Sequence, residues 1–327
     1  MKTLFYLAIY LPSLIIFWIT KKTPKYMYIA QRRLFIETGG KFNDVFSSVI
    51  SKVIGKYKIT TSNGLFGEVT SSKAKEIALD IEENGYHIFN EKLPENLIAD
   101  ITKFSREQPA HIINLTKHVS ISKEEFLIDE NNIKSPKYSF NAKRLMGNKS
   151  IENISFDENL LHIAQEYLGV KPILDSISLW WSAPFGKKGT SAAAQEFHFD
   201  MDRIKFLKFF IYLTDVNEEN GPHCYIPKSH KSVPKQLRKD GRFTDDLIES
   251  ILGKHLEICK PKGTMMLVDT RGFHKGKPLT EGNRLLFQME YTNTLVGQKI
   301  PKFPTKKINN PIAFTKYKRT FKLVKLS

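Results

Sequence analysis

The chain has 327 residues, 41% of them hydrophobic and 12% aromatic, enough to fill one large core with appendages. Its 50 Lys and Arg against 34 Asp and Glu leave a formal charge of +16, read mostly as solvated surface; no stacking motif accompanies the charge, so nucleic acid is disfavoured as a partner. The two cysteines, Cys224 and Cys259, lie in no CxxC or Cys/His cluster, which excludes a disulfide framework and a zinc finger.

Residues 4 to 20, LFYLAIYLPSLIIFWIT, form an uncharged apolar run near the lower length limit for a spanning helix. Pro12 would kink a helix there but is tolerated in membranes. No small-residue cleavage pattern follows, which counts against a signal peptide, and the run has no polar face, which counts against a buried soluble helix, so a retained membrane anchor over residues 1–22 is expected. Lys21, Lys22, Lys25, Arg32 and Arg33 follow the run, which by the positive-inside bias keeps the body in the cytoplasm. Residues 23–70 read as a basic juxtamembrane linker that packs on the main domain or on a bilayer surface.

A regular pattern begins near Ser71. Residues 71–107 read as helix, strand, helix: Ser71 or Ser72 caps the first helix, Gly85 ends it, Tyr86 to Phe89 is the strand, and Pro94 opens the second helix. Residues 107–150 carry His111 and His118 without metal-ligand spacing, and both are taken as surface or hydrogen-bonded core residues. Asp157 to Leu168 is a further amphipathic helix. From Pro172 the chain turns β-rich: ILDSISLWWSAPF, EFHFD, KFLKFFIYLTDV, HCYIP, LEICK, GTMMLVD and RLLFQMEYTN are short strands broken by Gly/Pro turns. Such a run predicts a sandwich or barrel. The tail from 297 to 327 is basic, with no acidic residue. It reads as partly packed and solvated, or as drawn to an anionic membrane.

The chemistry centres on Glu196-Phe197-His198-Phe199-Asp200. On a strand, His198 and Asp200 project side by side, giving an imidazole and a carboxylate to one metal. The third ligand must come from His223, His230, His255 or His274. His274 has the best context, following the strand GTMMLVD and a short turn. His255 reads as surface; His223 and His230 read as bracing the loop around them by hydrogen bonds, with His223 kept open as a support to a ligand. Two imidazoles and a carboxylate leave coordination positions open, and Fe(II) is the inferred ion. Arg284, ten residues beyond His274 at the start of an apolar strand, is suited to hold a carboxylate bidentately, although a salt bridge at the barrel rim would use the same residue. Of Trp180 and Trp181, alternation sends one to the cavity and the other to the opposite face.

The stretches ENGYHIFNEKLPENLIADI, EFHFD, FFIYLTDVNEENGPHCYIPKSH and LVDTRGFHKGKPLTEGNRLLFQMEY resemble the phytanoyl-CoA dioxygenase family of Fe(II)/2-oxoglutarate oxygenases. The resemblance spans roughly residues 71 to 293. It implies a mainly β fold with flanking helices and a double-stranded β-helix (jelly roll, cupin-like) core over residues 71–296. It further implies His198, Asp200 and His274 on Fe(2+), Arg284 on 2-oxoglutarate, and O2 as the second cosubstrate. The reaction would hydroxylate an aliphatic carbon of a small or lipid-linked substrate, releasing succinate and CO2. Some members place a hydroxyl two residues after the distal histidine, where this chain has Gly276; related halogenases lack the carboxylate that Asp200 supplies. Competing readings are a non-catalytic jelly-roll scaffold that keeps a metal, and a cupin-like isomerase or hydrolase using the same triad without a keto acid. No protein partner is inferred.

Overall fold

The computed structural model describes residues 1–114, 120–185 and 193–326. Three helices open the chain: α1 (Lys2–Thr20), α2 (Lys25–Thr38) and α3 (Lys41–Ile54). A hairpin of β1 (Thr61–Gly64) and β2 (Gly67–Thr70) leads into α4 (Ser71–Asn84), β3 (Tyr86–Lys92) and α5 (Glu95–Glu107). Next come β4 (Ala110–Asn114), β5 (Ser120–Phe126), β6 (Lys137–Ser139), α6 (Ala142–Leu145), α7 (Lys149–Ser155) and α8 (Glu158–Leu168). The β-rich half holds β7 (Ile173–Ser182), β8 (Phe206–Tyr212), β9 (His223–Tyr225), α9 (Asp245–Leu252), β10 (Leu256–Ile258), β11 (Thr264–Val268), β12 (His274–Gly276) and β13 (Arg284–Thr292). The tail adds β14 (Phe303–Thr305), α10 (Pro311–Lys316) and β15 (Val324–Leu326).

Local chemistry sets the element ends. The hydroxyl of Thr70, not of Ser71 or Ser72, caps α4 by accepting from Lys73 N, and Gly85 closes it at φ +88°. Pro94 sits one position ahead of α5 as its N-cap residue. The Asp157 carboxylate caps α8 by accepting from Leu160 N.

A large antiparallel sheet runs in the order β3-β11-β8-β13-β7-β6-β4-β5, and a small one in the order β10-β9-β12. The expected strand at EFHFD is reduced to two isolated bridges, Phe197 to Phe243 and His198 to His274, which place the segment beside β12 on the small sheet. One face of the large sheet, with Ile177, Leu179, Trp181, Phe209, Ile211, Met265, Leu267, Phe287 and Met289, packs on the helices in the main core. The other face looks toward the small sheet, with Phe210, Tyr212, Met266, Val268 and Leu286 forming a second cluster with Tyr225 and Ile258. Two sheets packed this way, flanked by helices, form the jelly-roll core.

The first three helices are docked by buried polar contacts: Asn43 Nδ2 donates to Ile204 O at 2.8 Å, and Asn293 Nδ2 to Ser47 Oγ at 3.0 Å. The tail packs as well, burying Phe303, Tyr317, Phe321 and Val324 in the main core.

Candidate metal centre

Strand pairing brings the expected ligands together. His198 N donates to His274 O at 3.0 Å, and His274 N donates back to His198 O at 2.9 Å. Residues that exchange both backbone bonds lie directly opposite, so their side chains share a face. Asp200 is held two residues on, its N–H donating to Thr270 O at 2.8 Å. The ligand atoms of His198, Asp200 and His274 all fall within 4.8 Å of one another. His198 Nε2 lies 3.8 Å from Asp200 Oδ1, and His274 Nε2 lies 3.6 Å from Asp200 Oδ2. Neighbouring ligands of an octahedral ion with bonds of about 2.1 Å stand about 3 Å apart, so the two carboxylate–imidazole separations need contract by under about 1 Å and no pair by more than about 2 Å.

The histidine tautomers suit a metal. His198 Nδ1 lies 2.9 Å from Glu196 O, and His274 Nδ1 lies 3.0 Å from Gly272 O. A carbonyl only accepts, so each Nδ1 carries the proton and each Nε2 offers its lone pair to the shared space. Burial holds His198 below the ordinary imidazole pKa, and holds His274 well below it with His198 adding to the effect. Burial alone would raise the Asp200 carboxyl, but Lys208 and the two imidazoles outweigh it and keep the group ionised. Lys208 Nζ donates to Asp200 Oδ2 at 2.6 Å and stands 3.7 Å from Glu290 Oε2. Oδ1, the oxygen facing His198, remains for an ion.

The turn before His274 is rigidly built. Arg271 forks onto the buried Asp269 carboxylate at 2.7 Å and reaches Asp44 of α3 at 2.8 Å. Tyr167 of α8 also donates to Asp269. Burial would raise the Asp269 carboxyl, but Arg271 outweighs it and holds it at about 2. Ser229 Oγ accepts from Phe273 N at 2.8 Å, and Tyr225 Oη donates to Asp269 O at 3.0 Å. A Cβ at Gly272 would stand 2.2 Å from Tyr225 Oη and 2.8 Å from Ser229 Oγ, so only glycine fits. The GPHCYIPKSH stretch thus cradles the turn that presents His274.

Arg284 opens β13 directly opposite Ser182, and Lys137 of β6 faces Ser182 from the other side. Residues opposite one another share a face, so these three line one rung of the inner sheet face. Arg284 Nη2 donates to Ser182 Oγ at 3.3 Å, whereas Nε and Nη1 are buried without a partner among the described residues. No carboxylate among the described residues pairs with the guanidinium, so the rim salt bridge weighed from the sequence is not seen there. Burial pushes Lys137 down to about 8, with Arg284 and Lys208 adding to it. An anion between them would relieve both. The Cβ position of Gly276 is 3.4 Å from Arg284 Nη2, and Gly276 is two residues from His274, a span of about 6.6 Å on a strand. That span suits a diacid chelating a metal at one end.

The other histidines divide. Among the described residues the His223 ring makes none of the loop-bracing hydrogen bonds expected of it: it stacks on His274 at 5.6 Å, lies tilted against Phe210 at 5.0 Å, and its Nε2 has no partner there. Burial, with Arg284 next, pushes it down to about 3. His230 does brace, its Nε2 lying 3.1 Å from Glu82 O. His255, expected at the surface, is half-buried between Glu249 and Glu257, with its Nδ1 2.6 Å from Glu249 Oε1. His111 is hydrogen-bonded to Ser122 O at 3.0 Å; His118 lies outside the described residues. Trp181 is buried in the main core, while Trp180 takes the inner face, where Lys137 Nζ stands 4.3 Å over its ring. Sequence reading missed Lys137, Lys208 and the Asp269–Arg271 pair; the lone Lys in the apolar strand FLKFFIY was the available signal for Lys208.

Two imidazoles and one carboxylate converging beside a buried, anion-seeking arginine define the class of metal-dependent, keto-acid-using oxygenases. The chain belongs to the phytanoyl-CoA dioxygenase family, whose sequence profile matches residues 81–285. It is accordingly an Fe(II)/2-oxoglutarate-dependent enzyme, with Fe(2+), 2-oxoglutarate and O2 as its cofactor and cosubstrates. Among solved structures, EctD from S. alaskensis with bound Fe is 16% identical with a TM-score of 0.50, covering 76% of this chain and 89% of its own. HygX from Streptomyces hygroscopicus, with nickel, 2-oxoglutarate and hygromycin B bound, is 15% identical with a TM-score of 0.46, covering 68% and 88%. The epimerase SnoN in complex with Fe3+, alpha ketoglutarate and nogalamycin RO is 14% identical with a TM-score of 0.48, covering 68% and 84%. A search of curated protein sequences finds no match.

Proposed function

We propose that His198, Asp200 and His274 hold ferrous iron, and that Arg284 seats the distal carboxylate of 2-oxoglutarate. The reaction hydroxylates an aliphatic carbon of a small or lipid-linked substrate. The observation that carries this reading is the buried Arg284 guanidinium, with two nitrogens unpartnered among the described residues, beside Gly276 and so two residues along the strand from His274, whose ring meets His198 and Asp200. Bound there, iron and 2-oxoglutarate supply the activation of dioxygen, with succinate and carbon dioxide as coproducts.

The chain's own groups do the rest. Arg284 forks onto the carboxylate while Ser182 steadies its Nη2, and Lys137 adds a second positive charge from the facing strand. The Glu196 and Gly272 carbonyls fix the imidazole tautomers, and Lys208 orients Asp200 through the oxygen turned away from His198. Phe210, Leu286 and Met266 keep the inner face apolar and exclude water. Trp180 lines the substrate space. We assign catalysis to residues 71–296, with residues 1–22 and the basic tail facing a membrane and the body in the cytoplasm.

The test is succinate formation that requires both iron and 2-oxoglutarate, set beside calorimetric titration of 2-oxoglutarate into anaerobic iron-loaded protein. Wild type should bind and turn over; His198→Ala should do neither. An iron-loaded wild type that ignores 2-oxoglutarate would refute the reading.

A further inference from the structure

Helix α1 has two unlike faces. Tyr10 and Ser13 are buried, and Tyr10 meets the rings of Phe42 and Phe46 of α3 edge-on at 5.1 and 5.5 Å. Leu4, Phe5, Leu11, Ile15, Trp18 and Ile19 form the opposite stripe and are exposed, Trp18 at 73%. A helix bound to its own domain along one side cannot be surrounded by lipid. An apolar stripe on the other side suits a helix lying in the plane of a bilayer surface.

A cavity of about 1340 Å³ opens at the C-terminal end of that helix. Trp18 of α1 and Lys21 just beyond its end line it, with Lys299, Lys302, Arg319, Lys322 and others from the tail. Eight Lys and Arg side chains and no Asp or Glu lie on its wall. Arg319 spends its bonds on two carbonyls, Lys171 O and Asn293 O, and none of Lys299, Lys302 or Lys322 has a carboxylate partner among the described residues. Burial pushes Lys322 down to about 8, with Arg319 and Lys21 adding to it. Cations crowded this closely and left unpaired are stabilised by an anion. The volume exceeds that of an ordinary small-ligand pocket, leaving room for more than a bare phosphate.

Resting on the membrane-facing reading above, we propose that this cavity takes the headgroup of an anionic phospholipid while the exposed stripe of α1 lies among the acyl chains beside it. The two features adjoin at Trp18, which belongs to both. The membrane contact is therefore in-plane, not a spanning anchor.

The full chain is sedimented with phosphatidylcholine vesicles, with and without phosphatidylserine. Each basic side chain at an anionic surface is worth about fivefold in affinity, so Lys299→Gln/Lys302→Gln/Lys322→Gln should weaken binding to the anionic vesicles about a hundredfold. The exposed lysines Lys235, Lys254 and Lys260, which lie outside the cavity, serve as an equal-charge control, and Gln at all three should cost under about fivefold. Phe5→Ser/Ile15→Ser/Trp18→Ser should abolish binding; all three side chains are exposed in the protein, and unchanged melting and 2-oxoglutarate binding confirm that each variant is folded. Equal losses in the cavity and control variants would overturn the headgroup site while leaving membrane contact intact. Failure of wild type to bind either vesicle would overturn both. A cavity variant that loses duplex DNA but keeps vesicles would reassign the site to nucleic acid and overturn the proposal.

Discussion

Replacing Arg284 by methionine should move stability and cosubstrate affinity in opposite directions. The guanidinium is buried, yet among the described residues Nε and Nη1 have no partner and only Ser182 accepts from Nη2. An unpartnered buried polar group costs about 1–3 kcal/mol, and methionine fills a similar volume without that cost. The metal-free variant should thus be more stable than wild type by about 1–3 kcal/mol. With an unfolding entropy of about 2.1 cal/mol/K per residue over 327 residues, its Tm should rise by about 2–4 °C. The partner carboxylate, by contrast, loses a buried charge-assisted pair worth about 3–5 kcal/mol, so 2-oxoglutarate should bind at least about 100-fold more weakly. Differential scanning calorimetry of the metal-free proteins and anaerobic titration of the iron-loaded ones read the two effects. A variant that is several degrees less stable, or one that binds 2-oxoglutarate as wild type does, would refute the assignment of Arg284 as an anion seat.

Three further outcomes follow from the same geometry. Gly272→Ala drives a Cβ into Tyr225 and Ser229 and should cost about 1–3 kcal/mol and lower iron occupancy by metal analysis; adding Tyr225→Phe, which removes the oxygen 2.2 Å away, should restore part of both. Gly276→Ser should fold normally, since its Cβ meets Arg284 Nη2 only at 3.4 Å, and one added hydrogen bond should lower KM for 2-oxoglutarate about fivefold; an unchanged or raised KM would place the carboxylate elsewhere. His223 is held at about 3 when folded, against about 6.5 unfolded, so the unfolded chain takes up a proton that the native one refuses. The stability His223 supports is whole above about pH 6.5 and falls as pH drops toward 3. Between pH 7 and 5 the loss from this group is about 2 kcal/mol, and His223→Asn should shrink the measured pH dependence by that amount; equal slopes in urea unfolding would contradict it.

The site was legible in sequence because its chemistry is written in residue types. His198 and Asp200 two apart and a histidine after a strand pointed to the three side chains that the fold brings together, and an arginine ten residues on to the buried guanidinium near them. The strand around His198 was overread: its aromatic residues serve packing against Phe243 and Phe273, and only two bridges form. Contacts across the fold were out of reach. Asp269 pairs with Tyr167 from about a hundred positions earlier, and Lys137 meets Arg284 only through β7. Helix α1 looked uniform because tyrosine and serine passed as apolar, yet Tyr10 and Ser13 mark the face that docks on the body. His223 gave no signal that its ring would stack on His274, since strands β9 and β12 pair only in three dimensions.

The central claim is that three distant side chains grip one ferrous ion that 2-oxoglutarate then joins. Anaerobic absorption spectroscopy tests it most directly. Wild type should develop a visible charge-transfer band only when iron and 2-oxoglutarate are both present, at one iron per chain, and His274→Ala and Asp200→Ala should show none. A band that survives either substitution, or its absence from iron-loaded wild type with excess 2-oxoglutarate, would contradict the account.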